Sequence, residues 1–141
     1  MAQNTSDNSH CLDVFVYGTL KPGGTYWKEF CVGRTVRTTE AKVKGQLYDL
    51  GVGYPGIRLV GDDWVYGHLL TLDSAETLRR LDHLEGYSAD RPSGRNEYTR
   101  RRCPIYDHSN MLIGGRWIYE MTEATMQRHS LIQIADGIWP V

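Results

Sequence analysis

Short apolar runs and stretches of alternating apolar and polar residues outnumber helical patterns along this chain. Leu12 to Tyr17, rich in valine and aromatic residues and stopped by Gly18, predicts a buried strand. A glycine-rich loop follows through Gly24, and Tyr26 to Cys31 has the length of one short helix. Val43 to Leu50 alternates as a strand does and ends in a turn cluster of Gly51, Gly53, Pro55 and Gly56. Ile57 to Val60 and Val65 to Leu72 predict two further strands. Helical spacing is clearest from Ser74 to Leu84, where Ala75, Leu78 and Leu81 share a face, Asp73 and Glu76 form a capping box, and Gly86 supplies a left-handed stop. Ser88 to Asn96 has loop composition. Glu97 to Tyr106 and Met111 to Glu120 predict two strands joined by a turn, and Thr122 caps a last helix running through Met126, His129, Ile132 and Ile134. Only one helix intervenes cleanly between strands. The pattern predicts an α+β domain on a small mixed curved sheet or β-barrel with one or two helices.

Composition narrows the class. At 141 residues the chain is the size of one domain, with residues 1–11 a loose polar tail and 12–141 the folded unit. A net charge of −1 argues against a dedicated polyanion binder, and no apolar run approaches the length of a spanning helix. The first eleven residues hold no lysine or arginine and no apolar stretch, so they do not read as a signal peptide. Three cysteines without a CxxC pair suggest reduced thiols and a cytoplasmic address. Nothing here chooses between a monomer and a homodimer.

Two places carry candidate chemistry. Gly18, directly after a buried strand, lets the backbone of Tyr17-Gly18-Thr19-Leu20 turn sharply, so that successive N–H groups can form a nest for a carboxylate or an oxyanion. The same glycine also serves an ordinary turn. Gly24 stands where a phosphate loop would carry lysine, which disfavours a nucleotide. Glu85 lies in the last helical turn, near the negative end of the macrodipole and one turn from Asp82. Both neighbours push a carboxyl pKa upward, as a general base working near neutral pH requires, while a solvated helix end paired with Arg79 or Arg80 is the plainer reading. Cys103 with His108 reads as a structural thiol beside a turn, and Asp82, His83, Glu85 and His108 lack metal-site spacing. Five of the twelve arginines fall between Arg91 and Arg102, where a solvated face is a simpler account than RNA or phosphate binding.

Tyr17-Gly18-Thr19-Leu20 resembles the YG(T/S)L motif of gamma-glutamylcyclotransferase-like proteins. Further pieces agree in order: Leu47 to Gly51 with Tyr54-Pro55-Gly56, then Val65-Tyr66-Gly67, Leu81 to Gly86, Tyr98-Thr99-Arg100 and Asp136 to Trp139. The resemblance spans about Val14 to Trp139 and implies a small mixed barrel with a cavity at the YGTL loop. It implies cyclisation of a γ-glutamyl group to 5-oxoproline, a small-molecule substrate, and no cofactor or metal. Glu85 matches the family's acid/base glutamate, Tyr17 to Leu20 its substrate cradle, and Tyr98 and Tyr119 its aromatic lining. Ser88 to Asn96 departs from the pattern as a longer, arginine-containing insertion.

The residues supply a mechanism for that expectation. Glu85 would deprotonate the substrate's α-amine and later protonate the departing amine, while the loop N–H groups steady negative charge. Two other readings compete with it. A non-catalytic module would use the same cavity for a carboxylate-bearing metabolite, and a nucleic-acid-associated protein would use Arg91 to Arg102.

Overall fold

The structure, a computed structural model, describes residues 10–141. Most of the tail read at residues 1–11 therefore lies outside the described residues. His10 and Cys11 lie against the fold, with the Trp117 indole N–H donating to the Cys11 carbonyl over 2.9 Å.

Five strands close into a barrel in the order β1 (Asp13–Val16), β5 (Trp64–Leu72), β2 (Thr35–Lys44), β6 (Tyr98–Tyr106) and β7 (Leu112–Met121). β1 pairs antiparallel with β5 and parallel with β7, which closes the ring and removes the free edges. Beside it stands a three-stranded sheet of β4 (Pro55–Arg58), β3 (Gln46–Asp49) and β8 (Ile132–Gln133). Three short helices decorate the strands: α1 (Trp27–Phe30), α2 (Ala75–Leu84) and α3 (Glu123–Arg128). The α+β barrel expected from the pattern is the fold observed.

All four residues of β1 are buried, because the strand runs between two others and under α2. Leu78 and Leu81 of α2 pack with Val14, Val16, Leu70, Leu72 and Met121 in one core cluster. A second cluster, around Phe15, Leu47, Ile57, Val65 and Ile118, joins the barrel to the small sheet.

Four local expectations need correction. The stretch Val43 to Leu50 is two strands, since Gly45 breaks the run and donates to the Asp63 carbonyl. β2 begins as early as Thr35, and its first half is so polar and exposed that alternation does not betray it; pairing with β5 over nine residues makes it a strand. The N-cap of α2 is Ser74, whose hydroxyl accepts from Thr77 N, and Asp73 supports it by accepting from the Thr77 hydroxyl at 2.7 Å; Ala75 is exposed, and Thr77 joins Leu78 and Leu81 inside. The Thr122-capped helix stops at Arg128, because His129 is extended and Ile132–Gln133 pair with Asp49 and Tyr48 of β3. The interstrand hydrogen bonds there outweigh the weak local helical preference.

Candidate active site

One cavity of about 180 Å³ opens where β1 ends. Its wall includes all four residues Tyr17, Gly18, Thr19 and Leu20, together with Glu85, Tyr98 and Tyr119. Every site residue expected from the sequence therefore meets at one place. Phe15, Tyr26, Tyr54, Pro55, Leu84 and Glu97 complete the lining. The volume suits one amino-acid-sized group.

The loop is shaped by its own backbone. Lys21 N donates to Gly18 O, Gly24 N to Lys21 O and Tyr26 N to Thr19 O. These bonds close the turn without using the amides of Gly18, Thr19 and Leu20. Gly24 must lack a side chain, since a Cβ there would lie 2.5 Å from the Thr19 carbonyl oxygen. Gly18 lines the cavity, whereas Gly23 and Gly24, also read as loop parts, form the turn behind it.

The tyrosines are fixed as walls. Tyr17 donates its hydroxyl hydrogen to the Tyr119 carbonyl at 2.7 Å, and Tyr98 donates to the Pro55 carbonyl at 2.6 Å. Tyr119 donates to Asp82 Oδ1 at 2.6 Å. Burial pushes all three phenols far above their ordinary range, so they hold their protons and give the cavity rigid, mostly apolar sides.

Glu85 follows the last residue of α2, and its N–H bonds back to Leu81 O at 2.9 Å. Loss of water inside the cavity pushes its carboxyl up to about 8, with Glu97 and then Asp82 adding like-charge repulsion. The upward direction expected from the sequence holds, but burial leads and Glu97 stands ahead of Asp82. No pairing of Glu85 with Arg79 or Arg80 occurs; Arg79 pairs with Glu76. Asp82 accepts from Tyr119 and lies 3.0 Å from Arg100 Nε, a contact that has the charge of an ion pair without hydrogen-bond alignment.

Gly86 turns the chain away with φ +64°, and its carbonyl accepts from Glu97 N at 3.0 Å. A Cβ on Gly86 would sit 3.1–3.2 Å from three side-chain atoms of Glu97. Gly86→Ala is expected to cost about 1–2 kcal/mol through left-handed backbone strain and to displace Glu97, read as a lowered urea midpoint.

The sequence reading missed Glu97, Tyr54 and Tyr26. Tyr54 and the neighbourhood of Glu97 sat inside family-like segments, but nothing in their spacing assigned them a task. The arginine cluster is largely the exposed face expected: Arg91, Arg95, Arg101 and Arg102 are exposed, and Arg100 alone of the five is partly buried. Arg100 stacks over Trp117 at 4.3 Å, Arg102 covers the same ring at 4.6 Å, Arg101 bonds Glu120 at 2.8 Å and Arg91 bonds Asn96 at 3.0 Å. Cys103 is buried with its thiol pushed up to about 12, a structural position. Among the described residues no helix is long and apolar enough to cross a membrane.

A closed barrel thus carries an aromatic-walled cavity with the Tyr17–Leu20 loop and the Glu85 and Glu97 carboxyls on its wall. Residues 14–141 match the family described as gamma-glutamyl cyclotransferase, AIG2-like. The chain belongs to that family, and its activity is of the gamma-glutamylcyclotransferase type. It is 33% identical over 134 residues to the gamma-L-glutamyl-butirosin B gamma-glutamyl cyclotransferase of Niallia circulans, covering 89% of this chain and 81% of that one. In fold it is similar to an AIG2-like protein of Mus musculus (TM-score 0.54, 22% identity, 82% of this chain and 79% of that one). A uropathogenic Escherichia coli protein gives a TM-score of 0.60 at 18% identity, with 91% of each chain covered.

Proposed function

We propose that this protein cyclises the γ-glutamyl group of a small molecule to 5-oxoproline and releases the amine, with Glu85 as general acid and base. The observation that carries this reading is the shared cavity. A carboxyl pushed up to about 8 and the Tyr17–Leu20 loop face the same amino-acid-sized space.

The substrate's α-ammonium has no lone pair and must lose a proton before it attacks. Its positive charge, brought against Glu85, favours the ionised carboxylate, so Glu85 releases its own proton to water and can then take one from the ammonium. The freed nitrogen then bonds to the γ-carbonyl carbon, and the carbonyl oxygen becomes an oxyanion. The amides of Gly18, Thr19 and Leu20 face either this oxyanion or the α-carboxylate; one oxyanion donor is typically worth ~3–4 kcal/mol. The nitrogen sheds a second proton as the ring closes and the old carbon–nitrogen bond breaks. Both protons end on the departing amine, the first by way of Glu85. Attack is intramolecular, so the rigid tyrosine walls contribute by holding the chain folded. Each step uses only groups of this chain and the substrate. We place the reaction in the cytoplasm, where the thiols of Cys31 and Cys103, unpaired in the structure, would stay reduced.

Incubation with γ-glutamyl dipeptides, glutathione and γ-glutamylamines, with 5-oxoproline as the readout, tests the reading. Release of 5-oxoproline from at least one class is expected. Tight binding of these compounds with no product would favour a carboxylate-binding module instead.

A further inference from the structure

Glu97 stands at the end of the Ser88 to Asn96 connection, which the family-like pattern does not explain, and its side chain lines the cavity with Glu85. Its placement is built rather than incidental. Asn96, 2% exposed, knots the connection by accepting from Ser88 N and Arg91 Nε and donating to Ser88 O. The Glu97 carbonyl takes three donors, Thr122 N, the Thr122 hydroxyl and the Thr125 hydroxyl. Its amide bonds to Gly86, the residue after Glu85. The backbone under this carboxylate is thus tied to α2, β7 and α3 together.

The carboxylate itself is poorly provided for. Tyr54 donates its hydroxyl hydrogen to Glu97 Oε2 at 3.3 Å. Among the described residues no lysine, arginine or histidine pairs with it, although Asp82 has Arg100 and Glu120 has Arg101. A carboxylate on an apolar cavity wall, with one phenol and no cation, lacks a positive partner. The γ-glutamyl group brings one. Its α-carbon carries a carboxylate, which suits the loop amides, and an ammonium with three N–H donors, of which Glu85 can take one.

We propose that Glu97 binds the α-ammonium of the γ-glutamyl group, which makes the 88–97 connection part of the substrate site. The inference rests on the cyclising reaction proposed above. Glu85 removes a proton from the ammonium, and Glu97 keeps a hydrogen bond to the nitrogen that remains, aiming its lone pair at the γ-carbonyl. Before substrate arrives, the charge of Glu97 helps hold Glu85 protonated. The groups facing Glu85 are Asp82 on its own helix, Glu97 from the connection, and Tyr17, Tyr54, Tyr98 and Tyr119 from the strands and loops around it; Arg100 acts through Asp82.

The test uses Glu85→Gln as a non-turning background. Binding of L-glutamine is compared with that of 4-carbamoylbutanoate, the same molecule without the ammonium. Adding Glu97→Gln is expected to weaken L-glutamine by about tenfold or more while leaving 4-carbamoylbutanoate unchanged or tighter, as loss of a charged hydrogen bond requires. Glu97→Asp, which keeps the charge, is expected to recover part of the difference. Equal effects on both ligands, no effect on either, or no binding of L-glutamine with Glu97 intact would overturn the proposal. The cyclising reaction stands or falls separately, on 5-oxoproline from the unaltered protein.

Discussion

Glu85→Gln is expected to lower kcat/KM about a thousandfold and, above neutral pH, to give a more stable protein than the parent. The first effect follows from the proposed role of Glu85 in moving the α-ammonium proton; general acid–base catalysis is typically worth ~10²–10⁴-fold. The second follows from linkage. In the unfolded chain the carboxyl ionises near the ordinary 4.5, and in the fold it ionises at about 8. Below 4.5 both states are protonated and the group has no pH effect. Between 4.5 and 8 the unfolded chain has released a proton that the fold still holds, so stability falls as pH rises, by up to ~1.4 kcal/mol per unit. Above 8 the loss is complete and constant. Gln carries no such penalty. The two proteins should unfold alike near pH 4 and differ by a few kcal/mol near pH 9, with the Gln variant ahead. Parallel urea titrations at the two pH values check this, and a Gln variant that gains nothing between them would show that Glu85 is not held protonated. In the parent, kcat/KM should rise with pH through the same ionisation, to a plateau above about 8. The cost in stability is what an ionisable carboxyl held away from water imposes.

The parts of this site that could be read from the sequence are those whose meaning is local. Tyr17 to Leu20 follow a buried strand and contain a glycine, and Glu85 precedes Gly86 at a helix end; each fact sits within a few residues. Glu97 lies twelve positions beyond Glu85, and the bond from its amide to Gly86, the knot around Asn96 and the donors from Thr122 and Thr125 bring the two carboxyls together. The same limit explains β2 and β8. Thr35 to Glu40 are mostly polar and exposed, so their strand character comes from β5 across the ladder, and Ile132–Gln133 become a strand because β3 offers an edge. Arg100 alone among the five clustered arginines is partly buried, and again the reason is not local. Charge in a sequence suggests solvent, yet Arg100 lies over the Trp117 ring and meets Asp82, contacts made between elements far apart in the chain.

That Arg100–Asp82–Tyr119 network carries the other large expected effect. Asp82→Ala is expected to destabilise the fold by about 2–3 kcal/mol and to lower kcat/KM as well. Asp82 Oδ1 accepts from the Tyr119 hydroxyl and neutralises Arg100, whose side chain is 18% exposed between Tyr87 and Trp117. Alanine leaves a buried phenol without its acceptor and a half-buried guanidinium without its anion; each omission is typically worth ~1–3 kcal/mol, reduced here by partial access to water. Tyr119 also forms a wall of the cavity and accepts from Tyr17 through its carbonyl, so the disturbance reaches the Tyr17–Leu20 loop. Asp82→Asn separates the contributions. The amide oxygen still accepts from Tyr119, but the charge is gone, so stability should fall by less than for alanine. Asp82 is the third cause of the raised Glu85 carboxyl, after burial and Glu97. Removing its charge should therefore shift the rise of kcat/KM to lower pH while the cavity walls stay in place. An Asn variant with an unchanged pH profile would confine Asp82 to holding Tyr119 and Arg100. A shifted profile would make it part of the electrostatics that set when Glu85 lets go of its proton.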